Sequence, residues 1–242
     1  MRVNHATDPA SQMIILCDFD DTAAEQNVAT LLMDRFTPLD SSGAELDWQK
    51  MHRQFLARDL TLKEYQEAVF SGLHLNRDQQ AEYVRQQANL RAGFKELSAF
   101  CLKHNIHLAI NSYGLDFYVE ALLLEQGLKH IPFYSTETTI SPEGTTFSYR
   151  FAREGCEAWG NCKCRVVEGY QAQGHQVIYA GDGISDTCPA AKADFVFARS
   201  SLLEFCKNWN VEHQELTDFR DMITYLQTNQ AISTPAERLH FD

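Results

Sequence analysis

Three short polar segments of this chain carry side chains suited to chemistry, and each follows directly on an apolar run. Met13–Cys17 (MIILC) leads into Asp18-Phe19-Asp20-Asp21-Thr22. Residues 106–110 lead into Asn111-Ser112-Tyr113-Gly114. Residues 177–180 lead into Gly181-Asp182-Gly183-Ile184-Ser185-Asp186. Carboxylates, hydroxyls and several glycines are the groups on offer. Asp18 and Asp20 lie two residues apart, and on an extended backbone alternate side chains point to the same face. A carboxylate can act as a nucleophile, and several together are oxygen donors for a hard cation.

For these segments to meet, the apolar runs that precede them must lie side by side. The chain between the first and second runs holds four candidate helices and no apolar strand. They cover 25–36 (Val28, Leu31, Leu32 and Phe36 near helical spacing), 47–58 (Trp48, Met51 and Phe55 on one face), 61–70 and 76–88. The third opens with Thr61-Leu62-Lys63-Glu64, a capping-box pattern. Strand and helix then alternate. Helices are predicted over 91–104, 115–126 (stopped by Gly127), 163–172, 200–209 and 219–228. Strands are predicted over 106–110, 131–134, 145–151, 177–180 and 195–197, with a turn at 141–144 and loops at 112–114 and 181–186.

Strand, crossover helix, strand is the pattern of a doubly wound parallel sheet, an α/β fold whose active sites lie beyond the carboxyl ends of its strands. A parallel crossover needs only about a dozen residues. The surplus predicts a separate helical lobe, a cap over 25–90, inserted into a catalytic core made of 13–24 and 91–230. The segment 231–242 reads as frayed, or docked by Leu239 and Phe241.

Composition narrows the function classes. A chain of 242 residues can bury one substantial core and a modest second lobe. A formal net charge of −12 disfavours nucleic acid and anionic membrane surfaces, which call for a basic face. No run approaches the roughly 18 apolar residues of a membrane span. Residues 1–12 are polar and lack the apolar centre of a signal peptide. Seven scattered cysteines then predict reduced thiols and a cytoplasmic protein. The expected partner is a small metabolite; a homodimer stays open.

The three polar segments, with Lys163 opening a helix, resemble the four motifs of haloacid dehalogenase-type phosphatases, in the family's order. The resemblance spans residues 14–206 and implies a magnesium-dependent phosphatase. On that resemblance Asp18 is the nucleophile that becomes an aspartyl-phosphate. Asp20 protonates the leaving oxygen and then activates water. Ser112, with Tyr113, Gly114 and Lys163, binds phosphate. Asp18, Asp182 and the Asp20 backbone carbonyl hold the metal, and Asp186 supports that shell or orients Lys163. The physics agrees. Two like charges about 4 Å apart repel by roughly 4 kcal/mol at an effective dielectric of about 20. Asp18, Asp182 and a phosphate dianion therefore need a divalent cation between them. A free Asp, with a pKa of about 3.9, is ionised at neutral pH, so Asp20 must be perturbed by its surroundings or work through hydrogen bonds formed only with substrate. The family commonly has Gly where this chain has Asp21.

The Cys156–Cys164 loop around Lys163 and the Cys188-Pro189 pair that follows Asp186 and Thr187 resemble a smaller branch. That branch contains phosphatases for the methionine-salvage ester 2-hydroxy-3-keto-5-methylthiopentenyl-1-phosphate and for phosphoethanolamine and phosphocholine. The first is the expected substrate; phosphoethanolamine, phosphocholine and phosphoserine are the alternatives. Phosphoryl transfer by a mutase and a silent phosphate-binding module are the competing classes. Blander readings stand beside each residue. The acidic loops can be solvated turns, Ser112 and Asp186 helix caps, and Lys163 a surface lysine, while Arg150 and Arg153 can help attract phosphate or be surface cations. Cys156, Cys162 and Cys164 can be three zinc ligands or structural thiols. Trp159 can face a substrate or not. His104 and His107 read as ordinary.

Overall fold

Every residue of β1 (Met13–Cys17) is buried, and its alternating side chains divide between two apolar layers. Ile14 and Leu16 join one layer; Met13, Ile15 and Cys17 join the other. That division is the mark of a strand covered on both faces. The computed structural model describes residues 13–141 and 144–229. Six more strands complete the sheet: β2 (His107–Leu115), β3 (Phe133–Ser141), β4 (Gly144–Ser148), β5 (Gln176–Gly181), β6 (Phe195–Ala198) and β7 (His213–Glu215). Their spatial order is β4-β3-β2-β1-β5-β6-β7. All neighbours are parallel except the β3–β4 hairpin. The expected doubly wound α/β sheet is present. β1 lies between β2 and β5, so the chain leaves it in both directions, and the carboxyl ends of the three strands stand side by side.

Helices α5 (Phe94–Lys103), α6 (Asp116–Glu125) and α10 (Arg220–Asn229) cover the face that carries Ile15. On the opposite face lie α7 (Lys163–Gln171), α8 (Thr187–Ala190) and α9 (Ser200–Trp209), through Val166, Val167, Ala190, Leu202 and Cys206. Each fully buried Leu, Ile or Val contributes about 1.5–3 kcal/mol.

Between β1 and β2 stand α1 (Val28–Arg35), α2 (Trp48–Leu56), α3 (Leu62–Ser71) and α4 (Arg77–Gln87). Each begins where a side chain takes over an orphan helix amide: Asn27, Asp47, Thr61 and Asn76 accept from Thr30, Lys50, Glu64 and Gln79. The capping box read at Thr61 and Glu64 forms. The two ends of the insertion meet, with Ala24 bridged to Leu90 and the Glu25 amide donating to the Asn89 carbonyl at 2.9 Å. Val69 and Phe70 of α3 and Val84 of α4 run into the same apolar layer as Phe117 and Tyr118 of α6. Trp48 is buried in this layer, whereas Phe55 is only half-buried.

Several elements differ from expectation. β2 continues past Ile110 through the segment read as a loop, but its register against β3 shifts between Asn111 and Leu115. Residues 112–114 therefore bulge out of the ladder, as strands do beside active sites. β3 begins two residues later than expected and runs to Ser141, and β4 stops at Ser148. β7 is polar and three residues long, and α8 is a single turn after Asp186; neither has a hydrophobic period to read. Residues 142–143 of the expected turn, the polar segment 1–12 and the segment 231–242 with Leu239 and Phe241 lie outside the described residues. Among the described residues, no helix is long and apolar enough to cross a membrane.

Candidate active site

Asp18 is the first residue beyond β1, with extended backbone and its amide donating to the Ala180 carbonyl of β5 at 2.8 Å. The chain then closes one wide turn over Phe19–Ala23. Asp21 occupies the left-handed region at φ 59°, which explains why glycine suits this position. Two arginines hold the turn. Arg91 donates to the Asp21 and Thr22 carbonyls, both at 2.8 Å, and Arg199 donates to the Asp21 carbonyl at 3.0 Å. Inside the turn, Asp20 accepts from the Val28 amide of α1 at 2.7 Å and from the Tyr118 hydroxyl at 2.9 Å. Tyr118 is fully buried, and its ring stacks on Phe19. A Cβ at Gly114 would collide with the Tyr118 phenol, so only glycine there lets that hydroxyl reach Asp20.

Lys163 is the first residue of α7, only 2% exposed, and its carbonyl accepts from the Asn111 amide group at 3.1 Å. It is no surface cation. Its Nζ donates to Asp18 Oδ1 at 2.5 Å and to Asp186 Oδ1 at 2.7 Å. Asp186 Oδ1 also accepts the Tyr179 hydroxyl at 2.7 Å, while Oδ2 accepts the Asp182 and Gly183 amides at 3.1 and 3.2 Å. A Cβ at Gly181 would meet that carboxylate at 2.6 Å. Asp186 thus closes its own loop and aims Lys163, beyond the plain helix cap considered from the sequence. Asp182 accepts the Thr22 hydroxyl at 3.2 Å. Ser112 Oγ accepts the Gly114 amide at 2.9 Å, which leaves its O–H as a donor. The next helix begins at Asp116, so Ser112 is not its cap.

The electrostatics follow from burial and crowding. Burial, then the neighbouring Asp186 charge, pushes Asp18 well above the usual carboxylate range, against the pull of Lys163. Asp182 is pushed up to about 7, by burial first and then by Asp186 and Asp21. Asp20 rises to about 6, because burial outweighs the hydrogen bonds from Tyr118 and Val28. Burial disfavours the Lys163 cation, yet Asp18 and Asp186 together hold its pKa above the ordinary lysine value. These are not solvated turns.

Oxygen atoms of Asp18, Asp182 and Asp186 lie within 4.8 Å of one another. The one buried lysine faces three carboxylates, so the cluster is under-neutralised. All its donors are hard oxygens, which fit magnesium. Both Asp186 oxygens already accept two donors each, whereas Asp18 Oδ2 and Asp182 Oδ2 have no hydrogen-bond partner among the described residues. Asp18 and Asp182 are therefore the side chains free to ligate.

A cavity of about 280 Å³ opens above these groups. Asp18, Asp20, Ser112, Lys163 and Asp182 line it from the sheet, and helices α1 to α3 wall it from the insertion. Tyr113 and Gly114 line it too. Every residue singled out for catalysis, metal or phosphate in the sequence thus lies at one place or, for Asp186, directly behind it. Tyr118, Tyr179, Thr22, Arg91 and Arg199 were not legible there. Each is a lone polar residue in an apolar or loop context, and its target is a distant backbone or carboxylate oxygen.

Other expectations end elsewhere. Arg150 and Arg153 pair with Glu137 and Glu168 away from the cavity. The Cys164 and Cys188 side chains meet, with Cα atoms 6.4 Å apart. This contact joins α7 and α8, one residue after Lys163. Among the described residues, Cys156, Cys162 and Cys164 do not gather with a further ligand into a metal-type cluster.

Residues 13–225 match a single family model, described as Putative Phosphatase. The chain belongs to that family. This phosphatase, a hydrolase, is also 28% identical over 227 residues to a Brevibacillus brevis protein named 2-hydroxy-3-keto-5-methylthiopentenyl-1-phosphate phosphatase, covering 91% of this chain and 98% of that one. A Bacillus cytotoxicus protein of the same name is 30% identical over 219 residues, covering 88% and 95%. Among solved structures, a phospho-aspartyl intermediate analogue of phosphoserine phosphatase superposes with a TM-score of 0.65 at 17% identity, covering 88% of this chain and 98% of that one. That likeness establishes the haloacid dehalogenase-type fold.

Proposed function

We propose that this phosphatase hydrolyses a small phosphate monoester through an aspartyl-phosphate on Asp18, and that the ester is 2-hydroxy-3-keto-5-methylthiopentenyl-1-phosphate. The observation that carries the chemistry is the convergence of Asp18, Asp182 and the Asp186-held Lys163 beneath the cavity. The substrate rests on the relatives' names over most of the chain. No arginine lines the cavity, and its acids are confined to the floor. Phosphoserine, with a carboxylate and an ammonium to pair, finds no matching charges on the upper wall.

In this reading an Asp18 oxygen attacks phosphorus while the bond to the ester oxygen breaks, and Asp20 gives that oxygen its proton. Water then attacks the phosphorus of the aspartyl-phosphate and loses a proton to Asp20; phosphate leaves and Asp18 is restored. Lys163 neutralises charge on the transferring group, with Asp186 fixing its position. The Ser112 hydroxyl and the backbone of Tyr113 and Gly114 receive the phosphate oxygens. Magnesium held by the Asp18 and Asp182 carboxylates and the Asp20 carbonyl would supply the charge that lets a phosphate dianion enter. Residues 25–90 serve as a cap that closes over the substrate, joined to the core 13–24 and 91–230 where Ala24 meets Leu90.

Phosphate release with magnesium, across the methylthiopentenyl ester, phosphoethanolamine, phosphocholine, phosphoserine and sugar phosphates, tests the substrate. Selective turnover of the first is expected. Preference for any other overturns the substrate assignment. Transfer of label to a second sugar phosphate, without free phosphate, points to a mutase.

A further inference from the structure

The upper part of the cavity is built from aromatic rings supplied by two different parts of the chain. Phe55 of α2 and Tyr65 of α3 lie 6.1 Å apart with rings nearly parallel, 4° between their planes. Trp159 stands edge-on to Phe55 at 6.0 Å and 88°. Trp159 does not come from the insertion. It sits in the loop before Lys163, which is tied down by a buried side chain: Asn161 accepts the Phe151 amide at 3.0 Å and donates to the Ser135 carbonyl at 3.0 Å. Trp159 also stacks on Tyr113 at 5.1 Å and 17°, and the Tyr113 ring lies 4.9 Å from Lys163 Nζ. Two short steps therefore lead from the phosphate-binding lysine to the tryptophan.

This wall suits a neutral, polarizable substituent, and the competing occupant is a quaternary ammonium, which aromatic rings can also take. It has rings, among them the His52 imidazole stacked on Phe55 and Tyr65, which burial holds towards its neutral form, and no Asp, Glu, Lys or Arg; the cavity's acids are Asp18, Asp20, Asp21 and Asp182, all on the floor. A desolvated ammonium needs a counter-charge, and here it would instead lie near the Lys163 cation. A neutral thioether is polarizable and gains from contact with ring edges. A thioether already lies in this wall, where the Tyr65 hydroxyl donates to the Met33 sulfur at 3.6 Å.

We propose that Phe55, Tyr65 and Trp159 form the subsite for the substrate's neutral methylthio tail, and that Trp159 is the residue that sets specificity for it. The proposal rests on the substrate reading above and adds where its far end binds. Trp159 is half-exposed, so its removal leaves the core intact.

The test compares kcat and KM for two esters, the methylthiopentenyl phosphate and the same enol phosphate lacking the methylthio group, with phosphocholine as a third. The starting protein should favour the methylthio ester over the shortened one by about tenfold or more in kcat/KM. Trp159→Ala should lower that ratio by about tenfold, through KM, and Trp159→Phe should restore most of it. An equal loss on both esters in Trp159→Ala overturns the proposal, because the tryptophan then acts through Tyr113 and Lys163 alone. A starting protein that favours phosphocholine over both overturns it too, the rings then reading a cation. No turnover of the methylthio ester by the starting protein defeats the substrate reading itself, a result distinct from lost discrimination in the variant.

Discussion

Asp20 receives one hydrogen bond from the first helix of the insertion and one from the sheet's own layer, through Val28 and Tyr118. Both favour its charged form, yet burial prevails and its pKa stands near 6. The acid step needs the protonated form, so kcat/KM should fall as pH rises through that region. Removing a bond that lowers the pKa must raise it. Tyr118→Phe should therefore move this fall to higher pH and reduce kcat by roughly tenfold through lost alignment of the proton. A shift to lower pH, measured at matched magnesium, would count against the assignment. Nothing in the sequence marks Tyr118, a lone tyrosine in an apolar helix. Asp18 and Asp182 were legible because each follows an apolar run, and Asp20 because it stands two residues after Asp18. Gly114 was legible as a glycine, but the phenol that demands it was not.

The wide turn after β1 is held by side chains from two other elements. Arg91, where the chain returns from the insertion, spans the Asp21 and Thr22 carbonyls, and Arg199 precedes α9. Charge-assisted hydrogen bonds of this kind contribute about 1.5–3 kcal/mol each. Arg91→Ala should cost about 2–3 kcal/mol in urea unfolding and lower kcat more than it raises KM, because the loop carrying Asp20 loses its clamp. Unchanged stability and turnover would show that Arg199 suffices. Elements with strong periods read well from the sequence: β1, β5 and α9 stand where the apolar runs put them. β7 has three polar residues, and the bulge beyond Ile110 depends on pairing with β3. Local pattern has no access to either, because both are settled by which strands become neighbours.

Across the whole molecule, a net charge of −12 and a cluster of three carboxylates around one lysine work against an anionic substrate. In the proposed reading a divalent cation reconciles them. Binding of magnesium to the folded form should stabilise it by about 2.7 kcal/mol at a hundredfold excess over Kd, read as a rise in Tm. Asp182→Asn should lose most of that rise. Excess chelator should abolish turnover, and full activity in its presence would remove the metal from the account. The order of the motifs and the inserted helices were legible at this scale because they need only sequence spacing. The aromatic wall was not, since Phe55, Tyr65 and Trp159 come together only after the insertion has folded back on the sheet.

The nucleophile is tested most directly by the rate of phosphate release from the methylthiopentenyl ester with magnesium, in the starting protein and in Asp18→Asn. A carboxamide cannot attack phosphorus or bind the cation as a carboxylate does, so a loss of at least about 10⁴-fold is expected. An Asp18→Asn protein that folds and still releases phosphate within tenfold of the starting rate would contradict an aspartyl-phosphate at this residue.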